Sequence, residues 1–328
     1  MSLALLKMNA DVSYDAIKFW LKFHGLPHSA SNKTFPVFIE RQIELGKISD
    51  AHLAEAIRDI EENGGKRVYL RQLRSLDNIK TKEAFEKHLS QFDIQLSAHA
   101  TTSIRKPTKS KRNYVYWGEK EIRVKFSETH IHWKGKGPDA EAITRTKFII
   151  FAVEHETGFV KLILDHPGDK HDHLSELGNP TEAAYIGYYL EQLTTLIGES
   201  EEINIAHQIN YLLDVAEPRE IQAVNTEATD DDGYEVRVKG RSDVHQSGSY
   251  ETIQHQPKSS LKGQWLKTHK NDKIGNKDSL IRDITLRIRP GDGMLSFTTM
   301  CLGKEVDYVI SRIRALQKAE QRDCPASQ

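Results

Sequence analysis

The sequence has little cysteine: Cys301 and Cys324 are the only two among 328 residues. Two cysteines cannot build the disulfide framework of a small secreted domain, and they do not form the ligand spacing of a zinc finger. The first residues lack the apolar core of a signal peptide, and no apolar run approaches the ~20 residues that span a bilayer. We therefore expect a cytoplasmic protein, or a nuclear or nucleoid one if it binds DNA, without a membrane partner.

Common signatures of catalysis are also absent from the sequence. It contains no phosphate-binding Gly-x-x-x-x-Gly-Lys loop, no dinucleotide-binding glycine pattern and no Gly-x-Ser-x-Gly nucleophile elbow. Neither cysteine has neighbours that suggest a nucleophile. We expect no cofactor and no bound metal, and we expect a protein that is not an enzyme, although two patterns described below keep a hydrolytic alternative open.

Charge is nearly balanced overall but is sorted along the chain. The whole chain has a net charge of −1. Residues 103–136 hold ten Lys and Arg against three acids, a net of +7. Residues 154–235 hold three against 19, a net of −16, and residues 255–289 hold nine against three, a net of +6. Clustered cations favour a polyanion partner, because Lys and Arg that face phosphates gain affinity by counterion release.

Hydrophobic spacing predicts an α+β protein in two parts. Residues 1–98 carry apolar positions at helical spacing and predict a small all-helical domain. Residues 99–113 are rich in Ser, Thr, Lys and Arg and predict a basic linker. Residues 114–320 predict an α+β domain with antiparallel hairpins and packing helices. Within it, residues 240–276 have few large apolar side chains, so we expect a mobile basic insertion there.

The most specific local pattern lies near the N-terminus. It reads Lys-Phe-Trp-Leu-Lys-Phe-His-Gly-Leu-Pro over residues 18–27, Ser-Asn-Lys over 31–33 and Val-Phe-Ile-Glu-Arg over 37–41. An amphipathic helix, a Gly-Leu-Pro turn, a polar loop with a lysine and a second helix follow one another. Residues 13–45 thus resemble the SAP-type helix–extension–helix module, and the matching positions are Leu21, Gly25, Leu26, Pro27, Lys33, Ile39 and Arg41.

This resemblance implies DNA or chromatin binding through the loop and the start of the second helix, with Lys33 and Arg41 as contacts. The chain departs from the module at two points. Ser29-Ala30-Ser31 replaces a usual glycine, and Phe35-Pro36 stands where a charged residue is common. The alternative is a helical domain that uses Gly-Leu-Pro only to end a helix, and such a domain could bind another protein.

Two further groups of cations are candidates for phosphate contact. In the first group, cations of a flexible segment precede aromatic residues that suit base stacking, and two more cations share one face of a predicted strand. The second group lies in the predicted insertion. The candidates are Arg105, Lys106, Lys109, Lys111, Arg112, Arg123 and Lys125 in the first group, and Lys258, Lys262, Lys267 and Lys270 in the second. The alternative for the first group is a solvated linker that its charge keeps extended.

Two patterns support a hydrolytic alternative. One is a cluster whose members could hold a divalent metal that activates water: Asp165, His166, Asp169, His171, Asp172 and His173. Its spacing matches no named metal motif, and Pro167-Gly168-Asp169 also fits a turn. The other is Asp214 followed by Glu235-Val236-Arg237, which is similar to a restriction-type nuclease site. It departs from such a site because Arg stays protonated where a Lys would act.

The sequence therefore predicts a protein that binds nucleic acid, DNA more than RNA, or that serves as an adaptor in an assembly handling DNA or RNA. One alternative is a metal-dependent phosphodiesterase or nuclease built on His166, His171 and His173. Another is a protein–protein scaffold whose segregated charges meet charged partners.

Overall fold

The computed structural model describes residues 12–98, 111–134, 141–165, 173–174, 181–230, 232–240, 242–267, 280 and 282–323. These residues form two compact units. Unit 1 is drawn from Met1–Glu62 and Arg71–Glu201, and unit 2 from Asn63–Leu70 and Glu202–Gln328. This division differs from the expected boundary near residues 99–113, because most of the N-terminal segment shares unit 1 with the strands that follow it.

The helices of unit 1 are α1 (Tyr14–Phe23), α2 (Phe35–Glu44), α3 (Asp50–Asn63), α4 (Lys82–Ser90) and α5 (Glu182–Leu196), with a 3₁₀ turn at Asp77–Ile79. Side-chain caps start α1, α4 and α5 among these helices. Ser13 Oγ accepts a hydrogen bond from the Ala16 N–H at 3.2 Å and so starts α1. Pro36 lies in the first turn of α2, where its missing N–H costs no hydrogen bond.

Strand β1 (Lys66–Leu73) follows α3 and is shared by the two units, with Arg71–Leu73 in unit 1. The other main strands of unit 1 are β2 (Lys111–Trp117), β3 (Glu121–Lys134), β4 (Glu141–Glu154) and β5 (Phe159–Asp165), and a short β6 (His173–Leu174) pairs with β3. The order β2-β3-β4-β5 is antiparallel throughout. The predicted hairpin between β4 and β5 is confirmed, and Gly158 supplies the positive φ of 68° that its turn requires.

Unit 2 is built around an antiparallel sheet. After the short β7 (Ser200–Glu202), α6 (Ala206–Asn210) continues into a π-helical turn at Tyr211–Val215. The remaining elements are β8 (Ile221–Thr229), β9 (Glu235–Lys239), 3₁₀ helices at Val244–Gln246 and Gly248–Ile253, β10 (Lys258–Trp265), β11 (Ile284–Arg289), β12 (Met294–Phe297) and α7 (Gly303–Asp323). The strand order is β1-β12-β11-β10-β8-β9, with β1 contributing Arg67–Tyr69.

The predicted α+β class is confirmed, and the N-terminal helices precede the sheet. The expectation of an all-helical segment up to residue 98 is wrong at β1, where hydrophobic side chains are buried on both sides of the strand. The expectation of a mobile insertion at residues 240–276 is wrong for residues 242–267. They hold two 3₁₀ helices and β10, which pairs with β8 on one side and β11 on the other. Within the described residues, no helix is both long enough and apolar enough to cross a membrane.

Candidate nucleic-acid interface

Residues 13–44 form two helices joined by a short non-helical segment. The turn after α1 closes by two backbone hydrogen bonds, from Leu26 N–H to Leu21 O at 2.8 Å and from Gly25 N–H to Lys22 O at 3.1 Å. Gly25 has a φ of 67°, which a residue with a Cβ rarely adopts. The Gly-Leu-Pro pattern therefore ends the helix by a Schellman motif, as the sequence predicts for a helix stop, while the SAP-type assignment stays a prediction.

A small polar cluster fixes the loop that carries Lys33. Lys18 Nζ donates to Asn32 Oδ1 at 2.5 Å, and Asn32 Nδ2 donates to Asp15 Oδ2 at 3.3 Å. The hydroxyls of Ser31 and Thr34 are 2.8 Å apart. Lys33 lies between these anchored residues, so its backbone position is defined although its side chain is exposed.

Two exposed residues of α2 follow a cation of the preceding loop. Val37 and Arg41 are four residues apart and so lie on one side of α2, and Lys33 precedes the helix by two residues. All three side chains are exposed, and Val37 reaches 68% of its full accessibility. Among the residues that the structure describes, no side chain pairs with Lys33 or Arg41. Two cations that hold no intramolecular partner are therefore available to an anion.

The N-terminal end of α2 carries the partial positive charge of the helix dipole. No acidic residue lies in its first turn, and the N-terminus of a helix carries a partial positive charge. Glu40 and Glu44 are exposed further along the same helix and offset Arg41. Attraction for a phosphate is consequently strongest at Lys33 and weaker at Arg41.

The basic arm is only partly within the described residues. Arg105, Lys106 and Lys109 lie outside them, as does Lys270 of the second group. Lys111 and Arg112 begin β2, where they are opposite Ser127 and Phe126 of β3, and Arg112 is exposed. The C-terminal end of the predicted linker is therefore a strand.

The structure places Arg123 and Lys125 in a buried ion cluster instead of on a phosphate-binding surface. Lys125 is completely buried, and its Nζ lies 3.0 Å from Glu61 Oε2 and 3.6 Å from Glu62 Oε1. Arg123 pairs with Glu62 and, at 2.5 Å, with Glu121. Desolvation alone would lower the pKa of Arg123, but the two carboxylates outweigh it and raise that pKa. The buried Lys125 cannot reach a phosphate, and the guanidinium of Arg123 is held by two carboxylates.

The same correction applies to Lys258. Its side chain is fully buried, and its Nζ donates to the carbonyl oxygens of Ile253, Gln254 and Gln256 at 2.6, 2.9 and 2.8 Å. All three ammonium protons are therefore used to bind the carbonyls that end a 3₁₀ helix. Lys262, four residues further along β10, is exposed, and Lys267 is half-buried.

Asp214 belongs to a polar network in unit 2. Its Oδ1 lies 2.9 Å from His245 Nε2 and accepts a hydrogen bond from the Tyr250 hydroxyl at 2.6 Å. His245 Nδ1 lies 2.8 Å from Asp243 Oδ1, and Arg219 donates to Asp243 Oδ2 at 2.7 Å. Burial acts to raise the pKa of Asp243, but hydrogen bonds and charge from His245 and Arg219 prevail and hold that pKa below its usual range.

This network does not form the nuclease-like site considered from the sequence. Glu235 and Arg237 lie on β9, and Arg237 pairs with Glu227 at 2.9 Å. No hydrogen bond or ion pair joins Asp214 to either residue in the described part of unit 2. Of the His and Asp cluster, His166, Asp169, His171 and Asp172 lie outside the described residues. Within those residues no group of three His, Cys, Asp or Glu side chains is arranged to hold a metal.

Comparison with known proteins adds no assignment. No protein-family model matches this chain, and no curated protein sequence matches it.

Proposed function

We propose that this protein binds nucleic acid, DNA more than RNA, through contacts of unit 1 with the phosphate backbone. The observation that supports the proposal is the exposed side of α2, where Lys33 and Arg41 are unpaired beside an anchored loop. Arg123, Lys125 and Lys258 are not among the proposed contacts, because their charged groups are bound by other groups of the protein.

The physical basis is the replacement of counterions by protein cations. Each Lys or Arg that neutralises a phosphate releases condensed cations, so affinity falls as salt rises. Lys33 is the strongest contact because it adjoins the positive end of α2, and Val37 can cover the apolar edge of a sugar. Contacts of this kind position the protein on the backbone without reading sequence.

The proposal is tested by fluorescence anisotropy with a short labelled duplex over a salt series. The variant Lys33→Glu/Arg41→Glu is compared with the control Lys80→Glu/Lys318→Glu, which reverses the same number of exposed cations elsewhere. We expect the slope of log K against log salt to fall by about 1.8 in magnitude for the first variant, because each phosphate contact contributes about 0.9. The control should change this slope by less than about half of the value that one phosphate contact contributes.

Two results would contradict the proposal. One is the absence of duplex binding by the unchanged protein at low salt. The other is an equal loss of affinity in the α2 variant and the control, which would trace the effect to net charge alone. Circular dichroism of each variant checks that the helices are intact.

A further inference from the structure

One face of the unit 2 sheet carries a line of cations across four neighbouring strands. Arg287 of β11 is directly opposite Lys262 of β10, Lys262 is opposite Asn225 of β8, and Asn225 is opposite Lys239 of β9. Residues directly opposite in an antiparallel pair point to the same face. Arg287, Lys262, Asn225 and Lys239 therefore form one row, called here the cationic row.

The three cations of this row are solvent-exposed and hold no partner. Arg287, Lys262 and Lys239 are each exposed, and Asn225 between them is half-buried. Across the parts of the chain that the structure describes, none of the three makes a hydrogen bond or ion pair through its side chain. The row ends at β12, where the next residue, Ser296, is buried. Strands lie about 4.8 Å apart, so the row from β11 to β9 is about 14 Å long.

The opposite face of the same strands is apolar and buried. Leu261 and Trp265 of β10, Leu286 and Ile288 of β11 and Val238 of β9 all point to the core. This burial fixes the register, because a slip by one residue would place the apolar side chains in water. The cations are therefore held on a rigid surface and are not carried by a flexible segment.

The neighbours of the row are polar and leave its positive charge uncompensated. Gln264 and Thr285 flank it on one side, and on the other Arg237 neutralises the carboxylate of Glu227 at 2.9 Å. Hydroxyl and amide side chains between cations suit phosphate and sugar oxygens. The hot spots of protein interfaces are large aromatic or arginine anchors set in apolar pockets, whereas Gln264, Thr285 and Glu227 beside the row are polar.

We propose that the cationic row is a second binding surface for the phosphate backbone of nucleic acid, separate from the α2 contacts and located on unit 2. The row would hold one stretch of backbone that crosses the strands, with a phosphate oxygen at Arg287 and Lys262 and another at Lys239. It shares the class of ligand with the proposed function, but it is supported by different residues.

The test uses the full chain with the variant Lys262→Glu/Arg287→Glu and the control Lys80→Glu/Lys318→Glu. The probe is the same short fluorescein-labelled duplex, titrated at several salt concentrations. We expect the double charge reversal on the row to weaken duplex binding about tenfold or more at low salt and to reduce the magnitude of the salt slope by about 1.8. The control should keep the affinity and the salt slope of the unchanged protein. Lys262→Arg should keep the wild-type affinity, because it keeps the charge.

The outcomes separate this inference from the proposed function. If the row variant binds like the control while Lys33→Glu/Arg41→Glu loses affinity, the row is not a binding surface and the proposed function stands. If only the row variant loses affinity, the α2 contacts fail and the row stands. If polyglutamate competes as well as unlabelled duplex for the row, the surface binds acidic protein and the inference is overturned. Unchanged urea midpoints in each variant exclude misfolding as the cause.

Discussion

Replacement of Lys125 by methionine separates a structural role from a binding role. The sequence assigns Lys125 to phosphate contact, whereas the structure buries its whole side chain between Glu61 and Glu62. Its Nζ also lies 4.5 Å from the centre of the Phe148 ring. Methionine keeps most of the volume and removes the charge, so the variant tests the ion pairs with little change in packing.

The expected loss of unfolding free energy depends on the carboxylates that stay buried when Lys125 is replaced. Glu62 keeps Arg123 and the Tyr114 hydroxyl, which donates at 3.0 Å, whereas Glu61 loses its 3.0 Å partner in a buried site. Removal of one member of a buried ion pair costs about 3–5 kcal/mol. The free energy of unfolding of unit 1 should fall by that amount.

Urea unfolding measures this loss, with far-ultraviolet circular dichroism as the signal. At a slope of about 3 kcal/mol/M, a loss of 3–5 kcal/mol lowers the midpoint by about 1–1.7 M. The matched control is Lys125→Met/Glu61→Leu, which removes both charges. It should recover most of the stability, because an apolar pair of similar volume often replaces a buried ion pair at no cost.

Two results would refute this reasoning. A midpoint of Lys125→Met within about 0.3 M of the unchanged protein would show that the buried pair contributes little. A loss of duplex affinity at temperatures where the variant is folded would return Lys125 to the binding surface.

Two further predictions concern unit 2. Lys258→Met should lower the free energy of unfolding by about 3 kcal/mol or more, because three carbonyls and Asp214 lose a buried cation. Lys262→Met on the same strand should change the free energy of unfolding by less than about 0.5 kcal/mol. Urea midpoints of the two variants measure this difference, and equal midpoints would contradict the assignment of Lys258 as buried. Asp243, whose pKa is held down in the folded state, stabilises the protein above its ordinary pKa of 3.8 and loses that contribution as pH falls through the lower folded value. The free energies of unfolding of the unchanged protein and Asp243→Asn should therefore differ near neutral pH and converge as pH falls through that lowered pKa, and a difference that stays constant on acidification would contradict this prediction.

Local signals in the sequence predict the elements that depend on neighbouring residues. Ser13 as a cap, Gly25 as a helix stop and the turn before Phe159 are all found in the structure. Each depends on hydrogen bonds or backbone angles within about six residues, so the relevant chemistry is visible in a short window. The α+β class follows from the same kind of signal.

The buried cations could not be predicted in that way. The partner of Lys125 is Glu61, at the end of a helix far away in the sequence, and alternation in a strand does not show which face is covered. For Lys258 the reason is a register shift. Because side chains alternate between the two faces of a strand, regular pairing would place Lys258 and Lys262 on one face. An irregularity in the pairing of β10 with β8 between Lys258 and Ser260 turns Lys258 inward.

The sequence predicts Lys262 as a candidate contact but does not predict the cationic row, for a related reason. Arg287, Lys262 and Lys239 come from three strands, and only the register of the sheet aligns them. Lys239 and Arg287 stand among alternating residues that are typical of any half-buried strand. Six of the nine Lys and Arg of residues 255–289 lie within residues 258–267 and 282–289, on the strands or next to them.

Strand β1 limits how this chain can be cut into working fragments. Its Arg67, Val68 and Tyr69 pair with Ser296, Leu295 and Met294 of β12, although the rest of unit 2 begins only at Glu202. A gene fragment that starts at residue 202 would encode β12 with an open edge, and all four side chains of β12, three of them apolar, are buried in the complete protein. Such an edge invites aggregation. β1 also leaves the ribosome long before β12 is made, so these two strands can pair only after all the intervening residues have been synthesised.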